Sequence, residues 1–447
     1  MTGLPRFETV ARLRPVELVV PGTDLPGALA PYVAVQADVT GPGRTALTLR
    51  SGGDRLSGGY DDGLALTVTA GGRTTTHRSR RHARPGGPLE AVGLSLTGTH
   101  LAVLGREGGV WTVRGRVDLA GRVDTRDETW LAGLEATADG PVRAVRSGGF
   151  GQLGLRDLRL VTHADGTPYR DGGEALLTAT SAGPGFFDTA HTSVWGLRPD
   201  TLALRHRGDL FFRRPDRPGV FGDHATHLLR DGDRWLAATS TWGDFDRAAP
   251  GATVGVTLAE TTADLTRGRH VLDTRALALP TDGLRSVGVW DPHLVRDGDT
   301  WLVAYVSARR FFAFHPVLAT GARLDALAFR AAASRRRATE GPTLVRLEGE
   351  WRLLASDGRD GRAGERERYP VFDLDLVEVG TLEAPYHSNL PWPTLLPPDG
   401  EGPWLLIGFD ATRYGGALVG YGAHGDVVLA RGDTPGSPRG VTPGAAG

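Results

Sequence analysis

The 447-residue sequence contains no cysteine and no lysine, and a single methionine. Without cysteine there is no disulfide framework, no thiolate metal site and no cysteine nucleophile. The lack of lysine is read as genomic base composition rather than function. An excess of charge is also missing, with a formal net charge of -1 and a pI near 6.9. The basic field that gathers nucleic acid is therefore absent. No apolar run approaches the roughly 20 residues that span a bilayer, so no membrane partner is expected. Arg6, Arg12 and Arg14 interrupt the apolar residues at the start of the chain. No secretory signal is legible there, and a cytoplasmic location is expected.

What the sequence has in quantity is glycine, 64 residues, and short alternating segments between polar turns. Stretches such as Val16 to Val20, Tyr32 to Val39, Thr45 to Leu49, Leu64 to Thr69 and Val110 to Leu119 carry the period of two that marks half-buried strands. Turn pairs such as Gly52-Gly53 and Gly71-Gly72 separate them. The fold class expected is all-β, with a β-sandwich of jelly-roll type over residues 1–165, a candidate carbohydrate-binding unit. Its pattern is similar to concanavalin-like and laminin-G-like domains.

A repeat begins after a linker near residues 163–168. Its clearest copy runs from Val289 to Tyr305, with a near copy upstream from Asp223 to Leu236 and another downstream from Glu340 to Leu354. Each reads as strand, polar turn, strand. Trp235, Trp301, Trp351 and Trp404 open the second strand of successive copies, at intervals of roughly 50 to 66 residues, which is the period of propeller blades. A further, degenerate copy surrounds Trp195. The expectation is a five-bladed β-propeller over residues 166–432, followed by a Gly- and Pro-rich tail over 433–447.

Register then singles out carboxylates. Eleven residues before the tryptophans stand His224, Trp290 and Glu340, with Asp223 and Asp291 one residue to either side of that position. Such positions begin the innermost strand of a blade at the mouth of the central channel. Convergent carboxylates suit glycosidic cleavage, in which one protonates the leaving oxygen and another activates water.

The motifs Trp290-Asp291-Pro292-His293 and Thr339-Glu340-Gly341-Pro342, in this order and spacing, resemble the active blades of family 43 glycoside hydrolases, which share a scaffold with families 32, 62, 68 and 117. The resemblance covers residues 175 to 430. It implies Glu340 as general acid, Asp291 as the carboxylate that tunes and orients, and inversion of configuration, with acid and base roughly 6.5 to 9.5 Å apart. The family's first Ala-Asp-Pro is replaced here by Gly222-Asp223-His224-Ala225, which leaves Asp223 and Asp188 as competing bases, with His224 as a further proton-transfer group. Expected substrate contacts are His224, Trp290, His293, Trp242, Arg309, Asp357, His387 and Trp392, with an oligosaccharide or glycoconjugate as partner. No cofactor is required. The resemblance of Ala423-His424-Gly425 to a channel His-Gly admits a calcium ion at His424. Two other functions fit the same residues: a non-catalytic glycan-binding propeller, and a glycan phosphorylase or transferase.

Overall fold

A computed structural model describes residues 5–400, 402–419 and 424–432. Among these residues the chain is almost wholly β, with one five-residue α-helix, Glu128–Ala132, capped by the carboxylate of Asp127 accepting from the Trp130 N–H at 2.7 Å. The expected tail, 433–447, lies outside the described residues.

The N-terminal part folds as two antiparallel sheets. One is six-stranded, in the order Val110–Asp118, His100–Glu107, Ala91–Thr97, Tyr32–Val39, Val142–Gln152 and Glu17–Val19. The other is five-stranded and runs from Glu135–Asp139 through Thr45–Ser51, Asp54–Tyr60 and Leu64–Ala70 to Arg73–His77. The alternation expected for half-buried strands holds in the second sheet, where Leu47, Leu49, Leu56, Leu66 and Val68 turn inward against Val33, Val35, Leu94 and Val103 of the first. It fails in Ala91–Thr97, which is buried along its whole length. The reason is that the sheet's second face, with Leu18, Tyr32, Ala34, Leu104 and Trp111, packs on Phe211, Val220 and Val419 from the C-terminal part.

The remaining chain forms five mainly antiparallel sheets arranged as a β-propeller. Their first strands are Leu155–Leu160, His224–Asp231, Gly288–Asp297, Thr339–Leu347 and Thr394–Leu396. Each sheet is apolar on both faces and cannot bury them alone, so neighbours stack in sequence. Leu176, Val194 and Phe212 meet Leu228 and Trp235, and Leu236 and Leu258 meet Leu294, Trp301 and Tyr305. Val295 and Leu318 meet Leu344, Trp351 and Phe372, and Leu354 and Val371 meet Leu395 and Leu406. The stack returns on itself where Leu155, Leu158 and Leu177 pack with Ile407, Val427 and Leu429. Trp235, Trp301 and Trp351 are thus buried between sheets, as their repeat spacing suggests.

Two features shift the expected boundary at 165. Leu155–Leu160 opens the first sheet of the propeller by pairing with Glu174–Ser181. Phe7–Leu13, expected in the N-terminal unit, instead pairs with His424–Gly432 as the edge strand of the last sheet. The two-sheet unit is therefore inserted between the strand that closes the ring and the strand that opens it.

Candidate active site

The first strands of four consecutive sheets carry the same irregularity. Pairing with the second strand slips between Arg156 and Arg159, between His224 and His227, between Trp290 and His293, and between Glu340 and Thr343. Within each slip one residue has a positive φ: Asp157 at 52°, Ala225 at 59°, Asp291 at 56° and Gly341 at 67°. Such a bulge re-aims side chains that a regular strand would send to opposite faces. The left-handed conformation is costly for residues with a Cβ and persists only where surroundings enforce it. Here the hydroxyl of Thr180 accepts the Ala225 N–H at 3.2 Å and that of Ser240 accepts the Asp291 N–H at 2.9 Å. At the fourth sheet the acceptor for the Gly341 N–H is the carboxylate of Asp291 itself. The bulges consequently lock one sheet to the next.

The bulges bring three carboxylates into one cavity of about 400 Å³, lined by Asp157, Asp291 and Glu340 together with Arg156, His224, Trp290 and eight further aromatic side chains. Burial raises the proton affinity of Asp157, against the pull of Arg156, whose Nε lies 3.3 Å from its Oδ2. Burial also raises Asp291 well above the ordinary carboxylate range, and the Asp157 charge adds to it. Glu340 is raised well above its ordinary value near 4.5 by burial, then by Asp291 and Asp157, although the Trp290 indole N–H donates to its carboxylate. Three acids this close cannot all ionise near neutrality. The Gly341 N–H and the Arg159 guanidinium pull Asp291 back toward its ionised form, while the Asp291 charge favours the protonated form of Glu340. Asp291 Oδ2 is buried without a hydrogen-bond partner among the described residues.

Below the carboxylates a second layer comes from the residue two places after each bulge: Arg159, His227, His293 and Thr343. Arg159 donates to the carbonyls of Pro342 (2.9 Å) and Asp291 (3.1 Å) and to the Thr343 hydroxyl (3.2 Å), and its guanidinium lies 4.3 Å from the centre of the Trp392 ring. Burial lowers it to about 10, so it stays charged at neutral pH. His227 and His293 stack at 4.2 Å, and their Nδ1 atoms accept the backbone N–H groups of Leu294 and Leu344 in the next sheets. Both are held neutral by burial.

Of the residues expected at the site, Glu340, Asp291, His224, Trp290, Trp242 and Trp392 line the cavity. The others do not. Asp223 precedes His224 and faces away, as alternation along a strand requires; it is fully buried, paired bidentately with Arg214, and accepts the Gly243 N–H at 3.0 Å. Asp188 turns toward the N-terminal unit and pairs with His100 at 3.1 Å. His293 lies in the layer beneath, and Arg309 donates to the carbonyls of Ser334 and Arg336. Asp357 is enclosed by Arg336, Arg368 and Thr339, and His387 bonds the Thr9 hydroxyl at 2.8 Å. His224 is held neutral, first by burial and then by Arg156, which donates to its Nε2 at 3.2 Å. This opposes a proton-transfer role for it.

The side chain of His424 lies outside the described residues. Among those described, no three His, Asp or Glu side chains gather as a metal site.

The residue that sequence reasoning passed over is Asp157, since residues 1–165 were expected to form the N-terminal unit. The signal that finds it is the tetrad itself: Arg156-Asp157-Leu158-Arg159, His224-Ala225-Thr226-His227 and Trp290-Asp291-Pro292-His293 each end on a basic side chain.

The sequence matches no known family model and no curated protein sequence. Solved structures similar to this chain include a levansucrase of Bacillus subtilis in complex with oligosaccharides, at 10% identity over 63% of this chain and 87% of that one, with a TM-score of 0.46. Another is Zg3597, a family 117 glycoside hydrolase produced by the marine bacterium Zobellia galactanivorans, at 12% identity over 63% and 85% with a TM-score of 0.46. A third is a family 32 β-fructofuranosidase of Bombyx mori, at 14% identity over 62% and 60% with a TM-score of 0.43.

Proposed function

We propose that this chain is a glycoside hydrolase on a five-bladed propeller, joined to a β-sandwich, and that it cleaves by single displacement with inversion. The observation that carries this reading is the gathering of Asp157, Asp291 and Glu340 at equivalent bulges in one cavity, with Glu340 holding its proton. Glu340 gives that proton to the glycosidic oxygen as the bond from the anomeric carbon to that oxygen breaks. Water attacks the anomeric carbon from the opposite side and passes its proton to Asp157. The products are the sugar hemiacetal and the free alcohol, and the next cycle needs only a proton returned from Asp157 to Glu340 through solvent. Asp291 Oδ2, without a partner among the described residues, accepts a sugar hydroxyl and fixes the ring between acid and base. Its charge also keeps Glu340 protonated until the leaving oxygen arrives.

The test is hydrolysis of a panel of furanosides and pyranosides by the purified protein, with the first-formed anomer observed by proton NMR. Turnover abolished in both Glu340→Gln and Asp157→Asn, with the inverted anomer formed first, is the expected result. Retention of configuration would overturn the assignment of Asp157 as base, and absence of all turnover with sugar binding retained would favour a glycan-binding protein.

A further inference from the structure

The cavity above the carboxylates is strongly asymmetric. The loops between second and third strands of the first three propeller sheets bring Phe186 and Phe187, then Trp242 and Phe245, then Phe311 and Phe312, to its wall. The equivalent loop of the fourth sheet brings Asp360, and the segment leading into the fifth brings Asn389, Leu390 and Trp392. The aromatic rings form one continuous arc. Phe187 lies 4.6 Å from Trp242, Trp242 lies 4.9 Å from Phe245, and Phe245 lies 4.8 Å from Phe311. Trp290 stacks on Phe311 with an interplanar angle of 12°. At the mouth, Phe186 is 42% and Phe312 is 56% exposed, and they are the only large aromatic side chains among the described residues left so open to solvent.

A second sugar stacked against this wall would need polar side chains around its hydroxyls. The polar side chains Arg156, Asp157, His224, Asp291 and Glu340 all belong to the bulged segments on the floor. Above them the three aromatic loops contribute only Arg247 to the lining, and it lies 5.4 Å from the centre of the Phe312 ring. The wall also adjoins the acid, because the indole that donates to Glu340 is the ring stacked on Phe311. The oxygen that Glu340 protonates is carried by the departing group, so the departing group leaves along the aromatic arc.

We infer that the natural substrate is a glycoside of an apolar, ring-bearing alcohol: one sugar on the floor and an aromatic or alicyclic aglycone against Trp290, Phe311, Phe312 and Phe186. This rests on the glycosidase reading and narrows it from glycans at large to small glycoconjugates. Hydrolysis frees the hydrophobic alcohol, with its oxygen protonated by Glu340 and the water hydroxyl left on the sugar.

The test compares ethyl and 2-phenylethyl glycosides of each sugar, two alcohols of similar acidity, so that the ring and not the leaving ability differs. The phenylethyl glycoside is expected to show a kcat/KM about tenfold or more higher, mostly through KM, as burial of a phenyl ring against an apolar wall implies. Phe312→Ala and Phe186→Ala, at exposed positions whose truncation leaves the core intact, are expected to shrink that ratio by about threefold or more each. A ratio within twofold of unity, or a disaccharide of the same sugar turned over faster than the phenylethyl glycoside, would overturn the inference while leaving the glycosidase reading in place. If no glycoside is hydrolysed, the glycosidase reading falls instead. The wall is then judged by quenching of tryptophan fluorescence: tighter binding of phenylethyl than of ethyl glycosides upholds the apolar occupant, and equal binding removes it.

Discussion

Asp157 and Asp291 sit at the same bulge position of the first and third propeller sheets, both in the left-handed region, with φ of 52° and 56°. Their surroundings separate them. Asp157 is paired with Arg156 and accepts from the Thr180 hydroxyl, whereas Asp291 accepts from the Gly341 N–H and keeps one oxygen without a partner among the described residues. Equal backbone positions thus carry two different surroundings, which the proposed mechanism uses for two duties, one toward water and one toward the sugar.

Replacement of the base gives the first prediction. Asp157→Asn is expected to lower kcat by about 100- to 10,000-fold, the range of a lost general base. Added azide, which needs no base, is expected to restore turnover and give a glycosyl azide of inverted configuration, measured by NMR. An azide product of retained configuration would place the nucleophile's approach on the other face.

Asp223 provides the contrast. Its carboxylate is buried against Arg214, and a broken buried pair costs about 3–5 kcal/mol. Asp223→Asn is expected to lose stability of that order in urea unfolding, while kcat per folded molecule stays within about threefold of the parent. A kcat loss as deep as that of Asp157→Asn would return Asp223 to the chemistry.

The pH dependence follows from the direction of the shifts. Activity requires Glu340 protonated and Asp157 ionised, so the profile falls at high pH as Glu340 loses its proton and at low pH as Asp157 gains one. The Asp291 charge raises the proton affinity of Glu340. Asp291→Asn is therefore expected to move the alkaline limb of kcat/KM to lower pH. An alkaline limb that stays in place would separate it from Glu340.

Stability moves in the opposite sense. An acid that holds its proton more tightly folded than unfolded weakens the fold as pH rises from its unfolded value toward its folded one. For Glu340 that window opens near 4.5 and extends upward. Glu340→Gln is expected to melt at a higher temperature than the parent at pH 7 and at the same temperature at pH 4. Equal melting temperatures at both pH values would mean that Glu340 is ionised at no stability cost.

Gly341 holds the bulge next to the acid. A Cβ there would lie 2.3 Å from Trp392 Cδ1, on a backbone with φ of 67°. Gly341→Ala is expected to destabilise the protein and to lower kcat through displacement of Glu340, with both effects read on one preparation by thermal melting and steady-state kinetics. A variant with parent-like kcat would show that Glu340 is positioned by Trp290 alone.

Where the chain repeats itself, the sequence is transparent. Trp235, Trp301 and Trp351 fill the seams between sheets, and eleven residues before the last two stand Trp290 and Glu340, which face the cavity. The first sheet escapes this measure because its opening hairpin is not tight. Between Leu155–Leu160 and Glu174–Ser181 the chain makes an excursion in which Thr162–His163 pairs in parallel with His224–Asp231, and no tryptophan opens its second strand. Asp157 is hidden by that detour. Asp223 misleads for a geometric reason: one residue before the bulge tetrad, it falls on the opposite side of the strand. Asp357 and Arg309 mislead because long-range partners, not local sequence, decide where their side chains turn.

The edge strand Phe7–Leu13 also has a consequence in time. Its partner His424–Gly432 follows about 410 residues later in the chain, or about 20 to 80 seconds of synthesis at 5–20 residues per second. Until that partner is made Phe7–Leu13 has nothing to pair with and the ring stays an open arc, while the inserted two-sheet unit is free to fold first. The ring closes only once His424–Gly432 has been made, and a nascent chain that stalls before it would present the unsealed flank of the first sheet to chaperones.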